Sequence, residues 1–403
     1  MLGSSPGRSG ARERRSLYLG TIAAYADMYV TQPLLPELSS EFGVGPARAG
    51  LTVSAVVLAI ALCAVFYGPL ADAFGRRAVM ASSLAALSAA TLACALPGSF
   101  GALVALRFVQ GMFVPGMTAV SVAYAGDRFD RRDLGAVVGG IIASSVVGGL
   151  VGRVGAGWLS VHFGWRSAFA AFAAATAVTA LAVGRGLSSG PTGRGLGLLT
   201  ATRGLVSHLR EPALLGAYLV GFSLFFGWIG VFTYLPYLLS GPPHRLSTGL
   251  VSSTYLVYAA GVIASPVAGW LSGRVSSRRV IGLGLCVAAA GTVLTLARPL
   301  ALVIVGLVVL VLGMFTAQAV VPAFVNRTAR EAKGSASGLY LSAYYLGGTL
   351  GSVLPGVAWQ AVGWPGVVAV CAAAMGVAFA ANATLCGMAP RGGSSSSGAV
   401  LTP

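Results

Sequence analysis

Three ionisable side chains lie inside long apolar stretches of this sequence: Asp27, Arg107 and Arg153. A charge at the centre of a membrane-spanning helix costs about 2.5–3.5 kcal/mol on insertion scales, and such residues usually pair with one another or face a cavity. All three stand in the first half of the chain, which indicates a paired cluster facing a cavity. A carboxylate there can bind and release a proton, because desolvation favours its neutral form and a neighbouring guanidinium favours its charged form.

Arg153 belongs to the glycine-rich segment GGLVGRVGAG, residues 148–157, and its side chain has two interpretations. The guanidinium could face the cavity, as a second partner for Asp27 or as a substrate anchor. It could instead extend to outer water, because it lies only about six residues from the outer end of its span and a long side chain can reach that far. The sequence leaves both interpretations open.

The composition identifies the solvent around these charges. Of the 403 residues, 56% are hydrophobic and 9% are charged, whereas soluble proteins carry about 25% charged residues. The apolar residues form blocks of about 18–25, the length that crosses a ~30 Å hydrocarbon core. The sequence therefore predicts an all-α integral membrane protein with twelve transmembrane helices, at residues 17–38, 48–70, 78–97, 102–124, 135–159, 167–187, 212–239, 249–272, 280–297, 300–322, 335–359 and 366–388.

The net charge of +16 indicates a topology rather than a nucleic-acid partner. Among the predicted loops, the outer ones hold only Arg48, Arg166, Arg245 and Arg298, and the inner loops and tails hold the rest. Basic residues concentrate on the cytoplasmic side of membrane proteins. We therefore expect a multi-pass membrane protein with both termini in the cytoplasm, and no nucleic-acid binding.

Residues typical of catalysis or metal binding are sparse. The three histidines lie in predicted loops or the linker, and the five cysteines fall in predicted spans with no candidate disulfide pair in an outer loop. No nucleophile–base pair, phosphate-binding loop or His/Cys/Asp cluster is apparent. We expect neither an enzyme nor a bound metal or cofactor.

The two halves of the chain repeat one another. The residues Gly68, Leu70, Arg77 and Val79 recur as Gly269, Leu271, Arg278 and Val280, an offset of 201, and Gly148, Gly149 and Gly152 recur as Gly347, Gly348 and Gly351, an offset of 199. We expect two duplicated six-helix bundles around a central cavity, since repeated membrane bundles place their binding site between the repeats. The predicted divisions are a basic cytoplasmic tail (1–16), an N-terminal bundle (17–187), a cytoplasmic linker (188–211), a C-terminal bundle (212–388) and a disordered cytoplasmic tail (389–403).

Three motifs carry a resemblance to a known family. They are GPLADAFGRR (68–77), ALRFVQG (105–111), and AYADMYVTQPLLPEL (24–38), in which an aspartate precedes paired prolines. Together they resemble the major facilitator superfamily, and in particular its twelve-helix drug:proton antiporter branch, which contains bacterial inner-membrane efflux transporters.

The resemblance implies roles for several residues. Residues 68–77 would be a gating loop, with functional positions at Gly68, Asp72, Gly75, Arg76 and Arg77, in which Asp72 meets the start of helix eleven near Gly334 and Ser335. The helix-packing residues of the antiporter motif in helix five would be Gly148, Gly152 and Gly157, although Arg153 stands where that motif has proline. Helices one and four face the central cavity in this family, so we expect Asp27 and Arg107 to pair as the proton-coupling site.

The other polar and aromatic residues at depth are candidates for the substrate surface. They are Tyr25, Tyr29, Gln32, Gln110, Arg153, Trp228, Tyr234, Gln318, Tyr340 and Tyr344, with Tyr345 beside the last of these. Each tyrosine could also serve only packing or the interfacial belt. An aromatic, uncharged C-terminal half suits a lipophilic substrate. One acid against one or two arginines favours neutral, anionic or zwitterionic substrates over multiply charged cations.

The sequence thus predicts a secondary transporter that exports small amphiphilic molecules or drugs by proton antiport and alternating access. The expected partners are a small-molecule substrate, protons and the lipid bilayer, and the expected functional unit is a monomer. The alternative is proton symport or uniport of a sugar or another small nutrient. A sensor or scaffold without transport activity has little reason to keep charges inside the membrane.

Overall fold

The structure is a computed structural model of the 403-residue chain that describes residues 6–189, 208–329 and 333–388. Most of the predicted linker (190–207) and the predicted C-terminal tail (389–403) lie outside the described residues. The described residues form α-helices joined by short turns and three 3-10 segments. The helices are α1 (Pro6–Tyr29), α2 (Leu35–Phe42), α3 (Pro46–Ala49), α4 (Leu51–Phe74), α5 (Arg76–Ala93), α6 (Phe100–Phe113), α7 (Pro115–Arg128), α8 (Arg131–Phe163), α9 (Trp165–Gly186), α10 (Pro212–Ser240), α11 (Thr248–Ser253), α12 (Ala259–Ser272), α13 (Ser277–Leu294), α14 (Leu300–Thr328), α15 (Lys333–Gly351), α16 (Leu354–Val362) and α17 (Trp364–Ala383).

Within the described residues, nine helical stretches are long and apolar enough to cross a membrane. The predicted spans at 17–38, 78–97 and 335–359 are helical in the structure but are not among the nine. Charged residues in α1, an arginine pair and serines in α5, and serine and glycine in α15 lower the mean hydropathy of these three. The count of twelve therefore stays a prediction.

Helix α1 begins at Pro6, inside the segment that the sequence assigns to a cytoplasmic tail. Two acid–base contacts fasten this extension to the same half of the chain. Arg14 Nη2 lies 2.6 Å from Asp133 Oδ2, and Arg128 Nε lies 3.3 Å from Glu13 Oε1. The helix therefore extends past the apolar residues because its charged side chains form ion pairs with residues of the neighbouring helices.

Proline interrupts three of the predicted spans. Helix α6 ends at Phe113 before Pro115, and α15 ends at Gly351 before Pro355. The first span breaks after Tyr29, ahead of Pro33, and resumes as a 3-10 turn and α2. Proline lacks the N–H that would bond the carbonyl four residues earlier, so the helix weakens on its N-terminal side.

The internal repeat is visible in the packing of two helix pairs. A Cβ atom added to Gly148 of α8 would lie 2.5 Å from the Ile22 carbonyl oxygen of α1, and one added to Gly347 of α15 would lie 2.0 Å from the Phe222 oxygen of α10. One turn further on, Gly152 and Gly351 would each meet a main-chain oxygen at 2.3 Å. Close helix approach therefore occurs at the same register in both halves, because small residues let two backbones touch.

The two halves contact each other at the end that the arginine distribution predicts to face outward, called here the predicted outer end. Ser39 Oγ and Tyr237 Oη are 2.6 Å apart, and Trp158 Nε1 donates to Ser253 Oγ at 3.2 Å. A Cβ added to Gly356 would lie 2.6 Å from the Ala47 Cα. At the opposite end, the ion pairs Arg14–Asp133, Arg76–Asp127 and Arg128–Glu13 join residues of the N-terminal half alone. The structure is thus closed at the predicted outer end.

Candidate functional site

The break in α1 creates the centre of the first buried cluster. The last four carbonyl groups of a helix have no partner within that helix, and the negative end of the helix dipole lies there. In α1 these groups belong to the final turn, which ends at Tyr29, and Pro33 prevents the helix from continuing regularly. The position accordingly suits a cation, and the side chain of Arg107 from α6 occupies it.

Arg107 has no exposed surface and donates five hydrogen bonds, one for each N–H group of a guanidinium. The acceptors are the main-chain oxygens of Thr52 (3.1 Å), Asp27 (3.0 Å) and Met28 (2.8 Å), the Thr31 hydroxyl (3.2 Å) and Gln110 Oε1. All of these acceptors are neutral. The arginine therefore caps the end of α1 and joins it to α4 and α6.

The predicted ion pair between the side chains of Asp27 and Arg107 is not formed. Asp27 is fully buried, and its Oδ2 accepts a hydrogen bond from Thr176 Oγ1 of α9 at 2.9 Å. Among the described residues, its Oδ1 has no hydrogen-bond partner. The donors of the guanidinium are already used by neutral acceptors, including the freed carbonyls at the end of α1. The two residues contact each other through the main chain of position 27.

Gln110 belongs to this cluster rather than to a surface between the halves. It is fully buried, accepts from Arg107, and donates from Nε2 to Thr91 Oγ1 at 2.7 Å. In this conformation Gln110 therefore supports Arg107, and its role in the substrate cavity stays a prediction. The threonines at 31, 91 and 176 were not predicted, because one neutral hydroxyl in an apolar helix carries no distinctive sequence signal.

Arg153 lies at the interface between the two halves, with 2% of its surface exposed. Its Nε donates to Gln32 Oε1 at 2.7 Å, and its Nη1 donates to the Gly149 oxygen of its own helix at 2.9 Å. Its Cζ lies 3.6 Å from the centre of the Tyr29 ring and 4.7 Å from that of Tyr258 in the C-terminal half. In the structure, the Arg153 guanidinium therefore faces the interface between the halves rather than outer water.

Gln32 connects Arg153 to the other half of the molecule. Its Oε1 accepts from Arg153, and its Nε2 donates to Thr233 Oγ1 of α10 at 3.3 Å. The Gln32 side-chain amide therefore bonds to the N-terminal half through its oxygen and to the C-terminal half through its nitrogen. The sequence predicted Gln32 and Arg153 as candidates but not Thr233, Tyr255 or Tyr258, since spans seven and eight contain no acidic, basic or histidine side chain at depth.

Several predicted aromatic residues lie around this interface. Half-buried Tyr25 and Tyr29 stack with ring centres 6.5 Å apart, and they pack in one cluster with Phe225, Trp228 and Tyr344 of the C-terminal half, together with Tyr345. The Tyr344 and Phe225 rings stack at 4.1 Å. Trp228 Nε1 donates to the Tyr258 hydroxyl. Aromatic faces from both halves therefore surround the inner approach to Arg153.

Two other predicted residues have structural partners of their own. Tyr234 is fully buried, and its hydroxyl donates to the Ser352 oxygen at 2.8 Å, where α15 ends. It holds a helix break in this conformation, and its place in the substrate surface stays a prediction. Tyr340 is 2% exposed and donates to Gln318 Oε1 at 3.1 Å, so these two candidates satisfy each other.

The predicted gating loop lies at the end of the molecule away from the contact between the halves. Gly75 has φ +86°, a conformation that favours glycine and turns the chain from α4 into α5. Arg76 Nη2 pairs with Asp127 Oδ2 at 2.8 Å, and Arg77 Nη1 donates to Ser189 Oγ at 3.2 Å. In the described part of the chain, Asp72 makes no ion pair or hydrogen bond. Among the described residues, no ion pair or hydrogen bond joins Asp72 to the start of α15 in this conformation, and that contact stays a prediction.

The predicted helix-packing glycines separate into two groups. Gly148 and Gly152 lie against α1, within one half. Gly157 faces the other half, where an added Cβ would overlap the Ser252 hydroxyl of α11. At Gly68, an added Cβ would meet nothing within 4 Å, so the loop does not require glycine there for space. No group of metal-ligating side chains occurs in the residues that the structure describes.

The described residues form a bundle of apolar helices built from two repeats, with Arg153 buried between the repeats and Asp27 and Arg107 buried inside the first. This arrangement is that of a multi-pass membrane transporter. The chain belongs to the major facilitator superfamily, whose family model matches residues 17–261 and 243–399. It is 30% identical to an uncharacterized MFS-type transporter of Bacillus subtilis over 85% of this chain and 86% of that protein. It is 31% identical to an inner membrane transport protein of Escherichia coli over 90% of this chain and 88% of that protein. Its fold matches a bacterial homolog of the human lysosomal transporter Spinster, solved in an inward-facing conformation, with a TM-score of 0.76, 17% identity and 96% coverage of both chains.

Proposed function

We propose that this transporter exports small amphiphilic molecules by exchanging them for protons. The observation that carries the proposal is the environment of Asp27. Its carboxyl is fully buried among the helices of the N-terminal half, with one hydrogen bond to Thr176 and one oxygen that has no partner among the described residues. A buried carboxylate without an ion pair is costly, and a proton removes its charge. We therefore assign Asp27 the protonated form in this conformation.

The proton leaves Asp27 when the two halves rearrange. The charged and titratable side chains beside the carboxyl are Arg107 and Cys94, and the hydroxyls of Thr91 and Thr176 also face it. Arg107 donates to the Asp27 main chain before the break in α1 and to the Thr31 hydroxyl beyond it. A change at the break can therefore release the donor that Thr31 accepts, and the guanidinium can then bind the carboxylate that has lost its proton. Substrate and proton then exclude each other by requiring different positions of α1.

Alternating access supplies the movement in this proposal. We infer that the present conformation, which is closed at the predicted outer end, is the inward-facing state of a protein with twelve spans and both termini in the cytoplasm. The reverse state closes the inner end, where Asp72 of the gating loop reaches the start of α15. The proton gradient across the bacterial inner membrane drives the exchange. A single chain carries out the complete transport cycle.

The test uses inside-out vesicles in which respiration acidifies the lumen and a pH dye reports proton release. A panel of neutral, anionic, zwitterionic and cationic amphiphiles is added to vesicles containing the wild type, Asp27→Asn or Asp133→Asn. Asp133→Asn is the matched control, because it makes the same chemical change in an exposed acid paired with Arg14.

The expected result is substrate-induced proton release by the wild type and the control, and none by Asp27→Asn. Proton release that persists in Asp27→Asn contradicts the role of Asp27. Uptake of a sugar or nutrient without proton release supports symport or uniport instead. A panel in which only dications are exported contradicts the expected substrate charge.

A further inference from the structure

The two buried arginines differ in how fully their donors are used. Arg107 donates five hydrogen bonds, which equals the number of N–H groups on a guanidinium. Arg153 donates two, to Gln32 and to Gly149. Arg107 is therefore saturated by protein groups, whereas Arg153 retains donor capacity in a site that is 2% exposed.

Arg153 also lacks a balancing acid. None of the ion pairs among the described residues includes it. The rings of Tyr29, Tyr258 and Tyr255 lie 3.6, 4.7 and 5.4 Å from its Cζ. Aromatic faces attract a cation but do not neutralise it. Rings that lie over the faces of a guanidinium leave its in-plane N–H edge uncovered. A carboxylate binds to this edge.

The position of the guanidinium connects it with the transport route. Tyr29 belongs to the N-terminal half, and Tyr255 and Tyr258 belong to the C-terminal half, so the arginine is enclosed only while the halves meet. Half-buried aromatic rings of Tyr25, Trp228 and Tyr344 lie on the same interface. An apolar ring in contact with these faces would bring an attached acidic group toward Arg153.

We propose that Arg153 binds the carboxylate of the substrate, and that the exported molecules are amphiphilic aromatic monocarboxylates. This deepens the proposed function and rests on it, because it names the class of molecule that the antiporter carries. Gln32 holds the arginine in position through its Nε bond. An ammonium group on the same aromatic body is repelled by Arg153, and an uncharged ester keeps only the ring contacts.

The test compares three probes that share one ring system: 2-naphthoate, methyl 2-naphthoate and 2-naphthylmethylammonium. Their equilibrium binding to the purified full chain in lipid nanodiscs is measured by calorimetry for the wild type, Arg153→Gln, Arg153→Lys and Arg166→Gln. Arg166→Gln is the matched control, since it removes an exposed arginine that pairs with Glu41 at 2.9 Å.

The wild type and the control are expected to bind 2-naphthoate about tenfold or more tightly than the ester, and the ammonium most weakly. Arg153→Gln should bind acid and ester equally, with unchanged ester affinity as proof that the protein is folded. Arg153→Lys should keep part of the preference, because it retains the charge but not the planar donor edge. If the glutamine variant does not fold, the lysine variant tests the proposal through a reduced preference for the acid, and a preference equal to that of the wild type would contradict it.

The proposal is overturned if the wild type does not bind 2-naphthoate, prefers the ester or the ammonium, or keeps its preference in Arg153→Gln. Equilibrium binding requires no proton gradient, so this outcome is distinct from failure of the antiport mechanism. A carboxylate preference that depends on Arg153, combined with proton release that survives in Asp27→Asn, would retain the binding site and refute the proton site.

Discussion

Arg107 binds the main chain of Asp27 and not its carboxylate: its Nη1 donates to the Asp27 carbonyl oxygen at 3.0 Å, while Asp27 Oδ2 accepts from Thr176. In this conformation the hydrogen bonds of the arginine therefore do not involve the charge of the acid. Protonation of Asp27 can change without withdrawing a hydrogen bond from Arg107.

This geometry predicts opposite effects on stability for the two residues. Asp27→Asn should leave the melting temperature of the purified protein nearly unchanged, because no ion pair is lost. Arg107→Met should lower the melting temperature strongly, because five hydrogen-bond acceptors in a buried site, three of them main-chain oxygens, would lose their donor. Thermal unfolding in detergent measures both, with Arg166→Met as the control for a surface arginine. Strong destabilisation by Asp27→Asn, of the 3–5 kcal/mol seen when buried pairs are broken, would indicate an ion pair after all.

The hydrogen bond from Thr176 predicts an effect on stability. Thr176 Oγ1 donates to Asp27 Oδ2 at 2.9 Å, and Asp27 Oδ1 has no hydrogen-bond partner among the described residues. Thr176→Val should therefore destabilise the protein by about 1–3 kcal/mol, because it leaves both oxygens of a buried carboxyl without a donor. Thr176→Ser, which keeps the hydroxyl, should match the wild type. Equal melting temperatures of the valine variant and the wild type would refute this role of Thr176.

The sequence was sufficient for the class of fold because membrane helices and repeats leave strong signals. Apolar blocks, the offset of about 200 residues between Gly148 and Gly347, and the motif at residues 68–77 indicated the family that the family model then matched. Helix ends were less predictable. Charged residues made α1 longer than its apolar part, and prolines divided spans that hydropathy treats as continuous.

The details of the site were less accessible because they depend on side-chain direction. Arg107 and Asp27 were recognised as buried charges, but the helix break that gives the arginine its carbonyl acceptors cannot be read from charge alone. Arg153 had two interpretations because span position is compatible with either direction of a long side chain. The contact of its Cζ with the Tyr29 ring at 3.6 Å distinguishes them.

Alanine substitutions at two glycines of α8 should differ in their effect on stability. Gly152→Ala should destabilise the protein by about 1–3 kcal/mol, because its Cβ would lie 2.3 Å from the Ala26 oxygen and force α8 away from α1. Gly139→Ala on the same helix meets nothing within 4 Å and should be neutral or stabilising, since alanine favours helix. Melting temperatures of the two variants provide the comparison. Equal effects would show that the backbone contact does not limit packing.

The contact at Gly356 predicts a shift toward the outward-open state. A Cβ there would lie 2.2 Å from the Tyr234 hydroxyl and 2.6 Å from the Ala47 Cα, so Gly356→Ala should push the halves apart at the predicted outer end.

Ser352 is fully buried beside Gly50 at that end and can be changed to cysteine as a reporter. In a background whose five native cysteines are replaced by alanine, a membrane-impermeant maleimide added from outside should label the reporter faster in Gly356→Ala than in the parent. Gly376→Ala, with nothing within 4 Å, is the matched control and should label at the parent rate. Slow labelling of both variants would mean that closure at this end tolerates a methyl group at position 356, and the gate would then have to lie elsewhere on the interface.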